Sequence, residues 1–253
     1  MSRVTLGSMT VVVKRARSAE MAFYKTVAPG VRAAGVGVPE LLWSMDLGDA
    51  SWIVLEDIPA PLPKERWLAD PAVMVALRRL HRAELPPPPD PPGMFRPRWS
   101  DAMTDGALAA LPARRRARLK PILRRLQQAA AGLFAPRVPI SGDPNPTNWG
   151  LRADGTVVLY DWERSSRATA AIDLAITIPG FPAPDDYRRV AETYLGDGPD
   201  GAAGAVGELA DRIAIAKVWN VVEHLSMITD GSLRASPRIQ EVASSASDWL
   251  LGP

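Results

Sequence analysis

The sequence predicts an α+β chain built as two lobes, a small β-rich unit over residues 1–59 and a larger helical one over residues 60–253. Three observations carry that prediction. Short strand-like runs crowd the first 56 residues around a single helical stretch. Proline at positions 59, 61 and 63 stops any continuing element and marks a hinge near residues 56–59. Beyond residue 72 the apolar side chains recur mostly at helical spacing.

The elements follow in order. Residues 3–6 and 10–14 read as two strands about Gly7-Ser8, a hairpin. Ser18 is placed to cap a helix over residues 19–27, which Pro29-Gly30 should end. Residues 41–45 and 52–55 form two more strands, joined through Leu47-Gly48-Asp49. A helix over residues 72–85 carries Met74, Leu77, His81 and Leu85 on one face. There His81 reads as a buried side chain satisfying a backbone carbonyl. Residues 86–92 are a proline-rich spacer. Residues 111–133 are helical and basic, with a break expected at Pro121. Their cluster Arg114, Arg115, Arg116, Arg118, Lys120, Arg124 and Arg125 reads as a solvated face. A hairpin pairs residues 148–152 with 157–161 across Ala153-Asp154-Gly155. Helices are expected from residue 173, over 185–195, over 203–228 and over 236–251.

Composition excludes several classes. The chain has 253 residues, 47% hydrophobic and 23% charged, as soluble globular proteins do. It has no cysteine, which removes disulfides and thiolate metal sites and fits a cytoplasmic protein. Two histidines are too few for a histidine-rich metal site. No run approaches the ~20 apolar residues of a membrane span, so no membrane partner is expected. A net charge of +2, without aromatic interleaving of the basic segment, gives no reason to expect nucleic acid.

The chemistry concentrates between residues 141 and 161. Asp143 is followed five residues later by Asn148, and Asp161 closes the next hydrophobic strand. Gly, Asp, Pro and Asn alone would describe an ordinary turn. With Asp161 the set suits phosphoryl transfer. One carboxylate meets a substrate hydroxyl, while an amide oxygen and a second carboxylate hold Mg²⁺ against nucleotide phosphates. Lys14 at a strand end needs a partner, which Glu20 can supply from the next element. The extended segment from Glu56 to Ile58 can pair with a nucleobase edge through its own N–H and C=O, or can simply join the lobes. Acidic side chains outnumber basic ones over residues 185–241, which suits a cationic substrate. Asp185, Asp186 and Glu223 are the candidate contacts there. Asn220, Glu223, His224 and Met227 form one stripe that is either pocket wall or solvent face.

The segments Pro-Ile-Ser-Gly-Asp-Pro-Asn-Pro-Thr-Asn (139–148) and Tyr-Asp-Trp-Glu (160–163), with Asp173-Leu174-Ala175, resemble the aminoglycoside phosphotransferase family, a branch of the protein-kinase-like fold that also includes choline-kinase-like enzymes. Val-Val-Val-Lys (11–14) resembles its lysine strand. The resemblance implies an ATP- or GTP-dependent, Mg²⁺-requiring kinase of a small hydroxylated substrate, an aminoglycoside or other antibiotic being one candidate. Asp143 becomes the catalytic carboxylate and Asn148 and Asp161 the metal ligands. Lys14, held by Glu20, becomes the phosphate contact. Asp173 supports the Asp143 loop, and Ser141 stands where the family usually has histidine. The resemblance also implies a first strand and glycine-rich loop ahead of the lysine strand, for which residues 1–13 leave little room. That shortfall keeps a non-catalytic kinase-like binding module open. A kinase of peptide Ser or Thr in a biosynthetic pathway, with the arginine-rich segment reading an acidic leader, is a further alternative.

Overall fold

Alternating apolar and polar residues near the N-terminus resolve, in the computed structural model, into one antiparallel sheet. The structure describes residues 1–7, 9–47, 51–86, 94–198, 201–231 and 237–252. Ser8, the Gly48-Asp49 part of one expected connection, most of the proline spacer and Ser236 lie outside them. The sheet holds β1 (Ser2–Leu6), β2 (Met9–Ala16), β3 (Leu41–Asp46) and β4 (Ser51–Glu56) in the order β1-β2-β4-β3. Lys14 lies opposite Ile53 in register, and the inward side chains Ala16, Ile53 and Leu55 are buried.

The helix after β2 departs from expectation. Helix α1 (Ser18–Ala22) takes Arg17 rather than Ser18 as its N-cap, without a side-chain cap bond. It continues through a π-helical turn at Phe23–Val27 into α2 (Ala28–Ala33). Pro29-Gly30 does not stop it. Pro29 falls in the first turn of α2, directly after the π-helical turn, a position where proline is tolerated. Phe23, Tyr24, Val27, Ala28 and Val31 are buried, so the segment is held by packing. Beyond α2, Gly37 lies directly on the C-terminal part of the chain. Its carbonyl accepts from Leu159 N–H at 3.0 Å, and a Cβ there would sit 2.1 Å from the Val157 carbonyl.

Past residues 57–59 the chain makes β5 (Ala60–Pro61) and then α3 (Pro71–Arg82). Asp70 caps α3 by accepting from Ala72 and Val73 N–H. Helices α4 (Asp101–Ala110) and α5 (Ala113–Ala129) follow. The sequence reading missed α4, which Ser100 caps through Met103 N–H. The expected break at Pro121 is absent from α5. Pro121 is exposed, while Leu119 and Leu123 on either side are fully buried and anchor the helix across the lost hydrogen bond. The arginine cluster is only partly a solvated face. Arg124 pairs with Asp101 and Asp105, Arg115 with Asp248, and Arg116 donates to the carbonyls of Ala109 and Leu111.

Two small sheets carry the loop rich in Asp and Asn. Strand β6 (Val138–Ile140) pairs with β9 (Ser166–Ala168), and β7 (Trp149–Leu151) lies between β5 and β8 (Val157–Leu159). Helices α6 (Ala170–Ile176), α7 (Pro184–Leu195), α8 (Ala203–Thr229) and α9 (Pro237–Leu251) complete the chain. Helix α8 runs through the core, with Ile213, Ala216, Trp219 and Val222 at 0% exposure. No helix among the described residues is long and apolar enough to cross a membrane.

Candidate active site

The lysine of β2 is the centre of the cleft. Lys14 Nζ lies 2.9 Å from Glu20 Oε1 and 2.8 Å from Asp161 Oδ1. The two partners arrive from different places, Glu20 from α1 and Asp161 from the end of β8. Burial alone would push the ammonium down, but Glu20 and Asp161 outweigh it and hold Lys14 above the ordinary lysine value. Glu20 is buried, at 1% exposure, and burial pushes its carboxyl up against the pull of Lys14. Its second oxygen is buried without a hydrogen-bond partner among the described residues. The oxygens of Glu20, Asp161 and Glu163 lie within 4.8 Å of one another, with Lys14 joining the first two and Arg17 3.6 Å from Glu163.

Asp161 reaches this position through a left-handed backbone, φ 69°. That region costs a non-glycine residue roughly 1–2 kcal/mol, and aspartate tolerates it better than most. The neighbouring ring fixes the turn. Trp162 stacks flat on Phe23, centroids 4.4 Å apart and 8° between planes, and donates to the Leu159 carbonyl at 2.8 Å. The strand end carrying Asp161 is therefore packed on the helix carrying Glu20.

The Asp143 loop is built from its own polar side chains. Asn148 Nδ2 donates to the Asp143 carbonyl at 2.9 Å and to its carboxylate at 3.2 Å. Asn145 Nδ2 donates to the other Asp143 oxygen at 2.9 Å. The Asn148 carbonyl accepts from Tyr160 N–H at 3.0 Å, which sets Asn148 beside Asp161. Gly142 has φ 78°, and a Cβ there would meet the Arg164 carbonyl at 2.2 Å, so only glycine fits. Beneath the loop, Asp173 is fully buried and accepts from Ser141 N–H at 2.8 Å and Gly142 N–H at 2.9 Å.

His81 belongs to this support rather than to a backbone carbonyl, as the sequence reading had it. Its Nε2 lies 3.2 Å from Asp173 and its Nδ1 2.9 Å from Tyr194 Oη. Burial pushes the Tyr194 hydroxyl up to about 12, so it keeps its proton beside Nδ1. The Asp173 carboxylate, already accepting from two amides, takes the Nε2–H as a further donor. Ser141 Oγ is buried and has no partner among the described residues.

A cavity of about 410 Å³ opens between the lobes, lined by Val12, Lys14, Leu55, Ile58, Asn148 and Asp161 among others. That size suits a small organic ligand. Glu56 and Ile58 both border it. The Glu56 N–H is already given to the Glu40 carbonyl at 2.9 Å, so Glu56 offers a ligand only its C=O. Its carboxylate faces Arg152, which holds it below the usual range through bonds of 2.6 and 2.7 Å. The oxygen donors suit a small hard ion such as Mg²⁺. Asp161 is a carboxylate at the cavity wall, and Asn148, its nitrogen committed to Asp143, has its amide oxygen to offer.

The other candidates lie elsewhere. Asp186 accepts from Ala183 N–H at 2.9 Å and so caps α7, with Asp185 beside it in the first turn. Neither borders the cavity. Glu223 on α8 is paired with Arg164. Sequence reasoning missed Arg152, Arg164 and Tyr194, whose partners are 96, 59 and 113 residues away in the chain.

Residues 1–205 match the phosphotransferase enzyme family. The chain belongs to that family. It is a phosphotransferase with an alcohol group as acceptor, and the aminoglycoside phosphotransferase resemblance holds. No curated protein matches it in sequence. Among solved structures it is similar to a choline/ethanolamine kinase family protein from Mesorhizobium loti, at 19% identity and a TM-score of 0.66, over 99% of this chain and 85% of that one. A choline kinase from Streptococcus pneumoniae is 16% identical with a TM-score of 0.62, over 98% and 89% of the two chains. A spectinomycin phosphotransferase solved with ADP and spectinomycin is 12% identical with a TM-score of 0.55, over 97% and 88%. At these identities the likeness shows the fold. This phosphotransferase has the two-lobed, protein-kinase-like architecture with a small sheet-bearing N-lobe.

Proposed function

We propose that this chain is an ATP- or GTP-dependent, Mg²⁺-requiring kinase that phosphorylates a hydroxyl of a small molecule, with Asp143 as its catalytic carboxylate. The observation that carries the reading is Lys14 held between Glu20 and Asp161 at the wall of a cavity, with Asp143 joined to the same wall through Asn148. Lys14 supplies positive charge to the nucleotide phosphates, and Glu20 holds it extended. The hinge at Glu56–Ile58 faces the base, near the expected boundary of the lobes at residue 59. Mg²⁺, when bound, offsets charge on the phosphates in a loose transition state, with Asp161 and Asn148 as its protein ligands. Asp143, held by Asn145 and Asn148, orients the acceptor hydroxyl and takes its proton as the new P–O bond forms. Asp173 keeps that loop in place through the Ser141 and Gly142 amides. An aminoglycoside or other antibiotic and a choline-like alcohol are the acceptor classes that the structural neighbours suggest. The absence of cysteine fits a cytoplasmic enzyme.

The test is ADP release across a panel of hydroxylated acceptors, beside thermal-shift titration with Mg·ATP. Asp143→Ala should lower turnover by about 10²–10⁴ while the nucleotide-induced shift persists. Asp161→Ala should remove both turnover and the Mg²⁺-dependent part of that shift. Near-normal turnover in either variant rejects the assignment.

A further inference from the structure

At its hinge end the cavity between the lobes carries a charged side chain where the facing residue of the next strand is valine. Strand β1 sets Arg3 opposite Val12 in register, and both line the cavity together with Leu55 and Ile58. The Arg3 guanidinium is held in place. Its Nε lies 2.9 Å and its Nη2 2.8 Å from one oxygen of Asp57, whose side chain is only 13% exposed. Nη2 also lies 3.4 Å from the Ile58 carbonyl. The fork is thus pinned to the hinge itself, yet 60% of the Arg3 side chain stays exposed. Tyr160 borders the same cavity and is fixed through its hydroxyl, which donates to the Thr147 carbonyl at 3.0 Å.

We infer that Arg3 is a nucleobase contact, its planar guanidinium stacking on the face of the purine that the hinge holds. The inference rests on the reading of the cavity as the nucleotide site. A guanidinium is flat and weakly hydrated, and it lies face-on against aromatic rings as a compact ammonium does not. A base seated against Glu56–Ile58 comes within reach of a group already 3.4 Å from the Ile58 carbonyl. Asp57 holds the plane before the base arrives, so little side-chain freedom is lost on binding. The exposed face of Arg3 is the surface that such a ring would cover. Charge for the phosphates comes from Lys14, two residues farther along β2 than Val12.

The experiment is calorimetric titration of Mg·ADP and Mg·GDP into the full chain, following whichever of the two wild type binds more tightly. Arg3→Ala should weaken binding by roughly three- to tenfold. Arg3→Tyr, which restores a flat face without charge, should recover most of that loss. Arg3→Lys, which restores charge without the flat face, should recover less. Melting without nucleotide reports the fold of each variant, and where Arg3→Ala does not fold, Arg3→Ser carries the same comparison. Wild-type affinity in the folded alanine or serine variant overturns the inference. So does a larger recovery by Arg3→Lys than by Arg3→Tyr, the pattern of a phosphate contact. Those results leave the kinase reading standing. Binding of neither nucleotide by wild type strikes that reading, and the inference with it.

Discussion

Replacing Lys14 by methionine strips the cleft of the ammonium that contacts Glu20 and Asp161. Glu20 is the member that cannot escape to water, being 1% exposed with one oxygen already unpartnered among the described residues. Two unit charges no more than 4.8 Å apart, as the Glu20, Asp161 and Glu163 oxygens are, repel by at least about 3.5 kcal/mol at an effective dielectric of 20. Breaking a buried ion pair costs about 3–5 kcal/mol. Asp161 at 37% exposure is screened by solvent, which lowers the sum. A loss of about 2–4 kcal/mol near neutral pH follows, and at this chain length that lowers Tm by roughly 4–16 °C. The pH dependence has a definite sign. Burial already raises the Glu20 carboxyl, and losing Lys14 raises it further. The folded state then holds a proton that the unfolded state has released. The stability this proton confers is present below the ordinary glutamate value and lost as pH rises through the raised one. The deficit against wild type should therefore be largest near pH 8 and shrink toward about pH 5. Lys14→Met combined with Glu20→Gln should recover most of the Tm while still failing to bind Mg·ATP as wild type does. Melts of the three variants across that pH range decide it. A deficit flat with pH, or a Tm within a degree or so of wild type near pH 8, refutes the coupling.

Asp173→Asn turns one charge-assisted acceptor toward a backbone N–H into an N–H of its own. It should cost about 2–3 kcal/mol and lower kcat more than nucleotide affinity; equal kcat would show that the Ser141 and Gly142 amides do not position Asp143. Lys217 is 5% exposed, donates to the Ile178 carbonyl at 2.5 Å, and is driven down to about 8 by burial. Between about pH 8 and the ordinary lysine value the unfolded state binds the extra proton, so stability rises with pH there. Lys217→Met should abolish that rise and increase Tm at neutral pH, and an unchanged pH profile in the variant would contradict the assignment.

The sequence alone determined what depends on short spacing. Asp143, Asn148 and Asp161 fall in one loop and the adjoining strand end, and the turn residues between them leave few ways to fold. Lys14 and Glu20 sit six residues apart across a strand-to-helix turn, so their contact was readable too. The two strand pairs joined by short connections followed from alternation, whereas the pairing of β2 with β4 across the intervening helix did not. Helix boundaries were less readable where packing overrode local preference. Pro29 and Pro121 are carried through because buried neighbours hold the chain helical on either side. What only the tertiary structure decided are the contacts between elements far apart in the chain. Asp173 meets the Ser141 and Gly142 amides, and His81 and Tyr194 join it from two other helices. Arg164 finds Glu223 and the face of Phe95, and Arg152 finds Glu56. A charged side chain carries no local mark of its partner. That choice is made by which buried surfaces come together, and the neutralised charges record it afterwards.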